Sequence, residues 1–214
     1  MIIPKLHYIS KGNSPTAHLE NIQKACTSGI ELVQLDLNDV PDKRMLKLAQ
    51  EAREITSHFQ TRLIINDQYK IVKAVKADGV YLAQKDLCPT QIRKQLYPWQ
   101  MIGATANTLQ DCETLLDKEV DYICLFPFRT ATTDNNLSPA LGLNGYTAIT
   151  DILKTDTPII GGGGITIADV ARILETGISG LAISDAITRN FDSIRTFHQL
   201  LNASSTEEQR YTFT

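Results

Sequence analysis

Four consecutive glycines, GGGG at 161–164, lead into Ile165 and Thr166. Glycine lets a backbone approach a ligand closely, and the N–H groups at a helix start attract anions. A helix opening at Thr166 would make this loop a phosphate site, with Gly163 and Gly164 offering amides and Ser184 and Asp185 closing the other side. A flexible turn with no ligand is the plainer alternative, and the place of the run in the fold decides between them. A second group is Asp67 with Asp86, flanked by Asn66 and Gln84. Two carboxylates among amide oxygens suit Mg²⁺ held jointly with substrate phosphates. They also suit a general acid–base pair, or two solvated loop acids. No Ser-His-Asp or Cys-His pattern is apparent. Of His7, His18, His58 and His198, only His7 falls where a strand could turn it inward, and there a satisfied core histidine outweighs a catalytic one. Cys26, Cys88, Cys112 and Cys124 are widely spaced with no CxxC pair, so they read as buried free thiols.

Short β-branched runs alternate with longer helical patterns along the chain. Strands are predicted over 5–10, 31–36, 62–66, 79–83, 101–105, 121–126, 158–162 and 180–184. Helices are predicted over 15–28, 41–58, 69–75, near 90–96, then 109–118, 146–153, 167–176 and 187–201. Eight strand–helix units imply an α/β fold, a single (β/α)8 TIM barrel over 1–201, followed by a polar, frayed tail over 202–214. An open doubly wound sheet would carry its glycine-rich turn after the first strand, whereas here it follows the seventh. A barrel places its site at the C-terminal strand ends. Those ends carry Gln34, Asp36 and Asn38; Asn66 and Asp67; Gln84, Lys85 and Asp86; Thr105 and Asn107; Arg129, Thr130, Thr132 and Thr133; the glycine run; and Ser184 with Asp185. Barrels often hold a phosphate in the loops after strands seven and eight, which favours the phosphate reading of the glycine run.

Composition narrows the partners. A chain of 214 residues with 43% hydrophobic and 21% charged residues can bury one core. A net charge of −3 without a basic block argues against nucleic acid and membrane surfaces and for a small-molecule ligand. The longest apolar runs are strand-sized, and the N-terminus lacks a basic leader with a small-residue cleavage site, so a cytoplasmic location is expected. A homodimer is left open.

Several segments together resemble the thiamine phosphate synthase and thiazole tautomerase superfamily. LIINDQYKIVKAVKADGVYLAQKDL at 63–87 is similar to the synthase signature, an ND pair followed by ADGVHLGQ-D. IGATANTL at 102–109, DYICLFPF at 121–128, ALGLNGY at 140–146, PIIGGGGIT at 158–166 and GISGLAISDAIT at 177–188 match later blocks in the correct order. The resemblance implies a transferase of thiamine biosynthesis that joins hydroxymethylpyrimidine diphosphate to hydroxyethylthiazole phosphate and releases diphosphate, with Mg²⁺ as cofactor. It implies substrate roles for Gln34, Asn66, Thr105, Thr130 and Thr132, and Mg²⁺ ligation by Asp67 and Asp86.

The chain departs from that pattern at its charges. Asp36 and Asn38 stand where the family has arginine and lysine, Thr133 where it has lysine, and Asp185 where it has serine near the phosphate. Lys85 and Arg129 are mouth cations the family usually lacks, and so are candidates to compensate. The tautomerase branch does not need the diphosphate cations, but its catalytic histidine falls at Asn107, which cannot shuttle a proton. A transferase, a tautomerase-like isomerase and a non-catalytic ligand-binding or regulatory relative are therefore the functions to separate.

Overall fold

In the computed structural model, residues 2–37, 40–83, 87–130 and 139–211 are described. Eight parallel strands close into one barrel in sequence order: β1 (Leu6–Ile9), β2 (Leu32–Leu35), β3 (Arg62–Asn66), β4 (Gly79–Leu82), β5 (Met101–Ala106), β6 (Tyr122–Leu125), β7 (Ile159–Gly162) and β8 (Gly180–Ile183). β8 returns to β1 with Leu6 opposite Leu181, which seals the ring. Strand alternation splits the apolar residues into two cores. Leu32, Ile64, Tyr81, Met101, Tyr122 and Ile160 point inward and fill the barrel. Val33, Leu35, Leu63, Ile65, Val80 and Ile123 point outward and pack on the helices.

The helices are α1 (Pro15–Thr27), α2 (Asp42–His58), α3 (Tyr69–Val75), α4 (Pro89–Arg93), α5 (Leu109–Leu116), α6 (Gly142–Thr150), α7 (Val170–Leu174), α8 (Asp185–Arg189) and α9 (Ser193–Tyr211). Ser14 caps α1 by accepting from the Ala17 N–H, and Pro15 sits at its first position. In α2 the buried residues Met45, Leu48, Ala49, Ala52 and Thr56 recur at helical spacing on one face.

Several elements differ from the sequence pattern. α6 starts at Gly142 rather than at Tyr146, because the Gly142 and Gly145 N–H groups find partners in Phe128 O and Leu141 O despite poor helix propensity. The predicted helix over 187–201 is two helices, broken where Asn190 is extended and its side chain takes the Asp192 N–H. The backbone predicted to fray from 202 is helical to Tyr211. Cys26, Cys112 and Cys124 are buried free thiols as expected, whereas Cys88 is half-buried at the start of α4.

Candidate active site

His7, the one histidine expected inside the barrel, is buried, donates from Nε2 to Pro4 O at 2.9 Å and meets the Tyr122 ring edge-on. Burial drives its pKa down to about 4, so it is a neutral core residue.

Above this core, the strand ends hold a line of polar side chains. Gln34, only 2% exposed, donates from Nε2 to Asn66 Oδ1 at 2.8 Å. Asn66 in turn donates from Nδ2 to Asp36 Oδ1 at 2.7 Å. An ionised carboxylate can only accept, so Asp36 fixes which way the Asn66 amide faces, and Asn66 fixes Gln34. Asp67 follows in the left-handed region (φ 52°), its N–H donating to Tyr81 O at 2.8 Å and its Oδ1 accepting from the Ala83 N–H at 2.9 Å. That turn ties the end of β3 to the end of β4. Thr105 reaches the mouth from β5 with its hydroxyl 2.6 Å from the Tyr81 hydroxyl. Tyr81 is buried, and burial pushes its phenol pKa well up, so it serves Thr105 as a neutral hydrogen-bonding partner.

The structure thus brings Gln34, Asn66, Asp36, Asp67 and Thr105 to one end of the barrel. Thr130 is exposed at the lip after β6. Asn38, Gln84, Lys85, Asp86, Thr132 and Thr133 lie outside the described residues. Asn107 turns its amide into Phe126 O and its backbone N–H into the Asp111 carboxylate, which is a structural use of the side chain.

The glycine run does more for the protein's own packing than for a helix start. Gly163 (φ 90°) and Gly164 (φ 71°) adopt backbone that other residues avoid, and a Cβ on Gly163 would lie 2.8 Å from Pro127 Cα. The Phe128 and Arg129 N–H groups donate to Gly162 O and Gly163 O, clamping the loop after β6 onto the run. The helix expected over 167–176 is a 3₁₀ turn, Ile167–Asp169, followed by the short α7. Asp169 caps it by accepting from the Thr166 N–H and hydroxyl, so that end carries a built-in carboxylate.

Arg129, read from the sequence as a compensating cation, pairs bidentately with Asp169 at 2.6 and 2.5 Å, donates to Gly164 O and lies over the Phe128 ring. Its charge is committed to this corner. The Arg129 guanidinium, with help from Thr166, holds the Asp169 carboxyl well below the usual carboxylate range. A depressed folded-state pKa means the stabilisation is complete above the ordinary value of 3.8 and is lost as pH falls through the folded value. Asp169→Asn should lower the unfolding free energy by about 1–2 kcal/mol near neutral pH. In urea unfolding, that difference should narrow once the pH drops below 3.8; a gap constant down to lower pH would detach it from this carboxylate.

A cavity of about 650 Å³ opens at the same end between β1, β2, β7 and β8. Gly163, Gly164, Ser184 and Asp185, the residues predicted to hold phosphate, all line it, together with Asp36. So do three residues the motif reading passed over: Ser10, Lys11 and His18. Lys11 Nζ pairs with Asp185 Oδ1 at 2.5 Å. Lys11 directly follows the strand predicted over 5–10, two residues past the end of β1, so the strand-end rule alone would have found it.

Comparison with known proteins agrees with the barrel. The family model described as thiamine monophosphate synthase matches residues 6–187. The thiamine-phosphate synthase of Flavobacterium johnsoniae is 36% identical over 201 residues, covering 92% of this chain and 94% of the relative. That of Bacteroides thetaiotaomicron is 34% identical over 200 residues, covering 92% and 96%. Among solved structures, a thiamine phosphate pyrophosphorylase from Pyrococcus furiosus superposes with a TM-score of 0.76 at 23% identity, covering 95% of this chain and 96% of that one, which supports the fold. With a family match across the whole barrel and relatives about a third identical over nearly their full length, the chain belongs to the thiamine monophosphate synthase family.

Proposed function

We propose that this protein is a transferase of thiamine biosynthesis that joins hydroxymethylpyrimidine diphosphate to hydroxyethylthiazole phosphate and releases diphosphate, and that it turns over slowly. The observation that carries the reading is the Gln34–Asn66 pair, locked by a 2.8 Å hydrogen bond beside Asp67 at the barrel mouth. The family resemblance implies substrate and metal roles for these residues, and they stand at the ends of two neighbouring strands, β2 and β3. Gln34 and Asn66 orient the pyrimidine by fixed amide groups, Thr105 offers a hydroxyl directed by Tyr81, and the Gly163, Gly164 and Ser184 end takes the thiazole phosphate. The donor set fits Mg²⁺: hard carboxylate oxygen from Asp67, with Asp86 beyond the described residues as its partner. When bound, Mg²⁺ neutralises charge on the departing diphosphate. A cytoplasmic setting is supported by the unpaired thiols, and no helix among the described residues is long and apolar enough to cross a membrane.

Slow turnover follows from the charges. One preorganised donor to a developing anion contributes roughly 3–4 kcal/mol, and this chain has Asp36, Asn38 and Thr133 where the family pattern has cations. Incubation with both precursors and Mg²⁺, following diphosphate and thiamine phosphate, should show product formation at least about a hundredfold slower than for a relative with those cations. Absence of product above background would leave the second reading, a ligand-binding relative without turnover. One observation favours that reading: Asp36 occupies Asn66 Nδ2 with its own carboxylate.

A further inference from the structure

We propose that Lys11 is a phosphate-binding residue of this site, so that the charge for the anionic ligand comes from the end of β1 instead of the loops after β2 and β6. The inference rests on the reading that the β7–β8 end takes a phosphate, and it adds the group that neutralises it. Lys11 lines the same cavity as Gly163, Gly164 and Ser184.

Its loop is built, not merely adjacent. Gly12 presses so close to the start of α1 that a Cβ there would lie 2.7 Å from His18 N and 2.8 Å from Ala17 C. Asn21 Nδ2 donates to Lys11 O at 2.7 Å, and His18 Nε2 lies 3.1 Å from Gly12 O. A carbonyl only accepts, so Nε2 carries the proton and His18 Nδ1 accepts from Ser10 Oγ at 3.0 Å. Ser10 Oγ in turn accepts from the Asp36 N–H at 3.1 Å. Burial lowers the His18 pKa, which keeps the ring in the neutral form this arrangement requires. Two side chains of α1 therefore fix the backbone that presents Lys11.

The side chain is held across the β1–β8 seam by Asp185, 2.5 Å away, with both side chains about half exposed (52% and 51%). An exposed pair of this kind contributes little to stability, so a dianionic phosphate can take the ammonium from Asp185 at small cost. Asp185 acts as the exchange partner that keeps the ammonium at the mouth while no anion is bound. Lysine suits this task, as a compact charge on a flexible stem that can move between two acceptors. The neighbouring guanidinium of Arg129 is unsuited, because Asp169 and Gly164 hold it on three hydrogen bonds.

The test is calorimetric titration of the full-length protein with inorganic phosphate, which needs no turnover. Lys11→Met should weaken phosphate binding about tenfold or more, Lys11→Arg should stay within about threefold of wild type, and Asp185→Asn should tighten it severalfold. Unchanged melting of Lys11→Met would show that the fold is intact, and if that variant melts early Lys11→Gln takes its place. Equal affinity for wild type and the neutral Lys11 variant would overturn the role of Lys11 while leaving the phosphate end standing. Failure of the wild type to bind phosphate at all would overturn both.

Discussion

Asp36→Arg together with Asn38→Lys is expected to tighten hydroxymethylpyrimidine diphosphate by about an order of magnitude or more, each tenfold being worth about 1.4 kcal/mol. The change removes one carboxylate and adds two cations at the end of β2. It also does something only the structure reveals. Asn66 Nδ2 now spends a hydrogen bond on Asp36 Oδ1, and losing that acceptor returns the amide to the ligand while Gln34 still fixes its other end. A planar guanidinium at position 36 grips phosphate oxygens in pairs, which lysine does not. The backbone should tolerate the exchange, because the Asp36 N–H is anchored to Ser10 and is untouched by the side chain. Calorimetry with the diphosphate would register the gain, and diphosphate release under saturating precursors should rise with it. No gain in affinity would mean that the diphosphate does not lie over the β2 end in this protein.

The same residues show how far the sequence can be read. Alternation of β-branched runs and helices specified all eight strands, since parallel strands buried on both faces form short continuous apolar blocks. Gln34, Asn66, Asp67 and Thr105 were legible because a barrel puts its chemistry at the C-terminal strand ends. What they bond to was not legible. Asp36 and Asn66 are thirty residues apart in the chain, and only the β2–β3 register makes them partners. Arg129 looked like a mouth cation, but Asp169, forty residues on, was waiting for it. Charge in a sequence says nothing about which opposite charge the fold will set beside it. The helix boundary at Tyr146 erred for another reason: glycine-poor propensity marks where a helix is stable alone, whereas Gly142 is held by Phe128 across the fold.

Asp67→Asn and Asp86→Asn should each abolish the Mg²⁺ dependence of diphosphate binding while leaving the barrel folded. Asp67 is well placed for such a test. Its left-handed backbone (φ 52°) is one that asparagine also adopts, and its Oδ1, which accepts from the Ala83 N–H, survives the substitution. The turn joining β3 to β4 is therefore kept while the negative charge is lost. With few protein oxygens on offer, the metal should bind weakly by itself and more tightly once a diphosphate completes its octahedral shell. Linkage then requires the metal to tighten the diphosphate by the same factor. Titrating diphosphate with and without Mg²⁺ reads that factor directly: large in wild type, and about one in each variant. A factor that persisted in Asp67→Asn would place the metal on other oxygens and remove Asp67 from its shell.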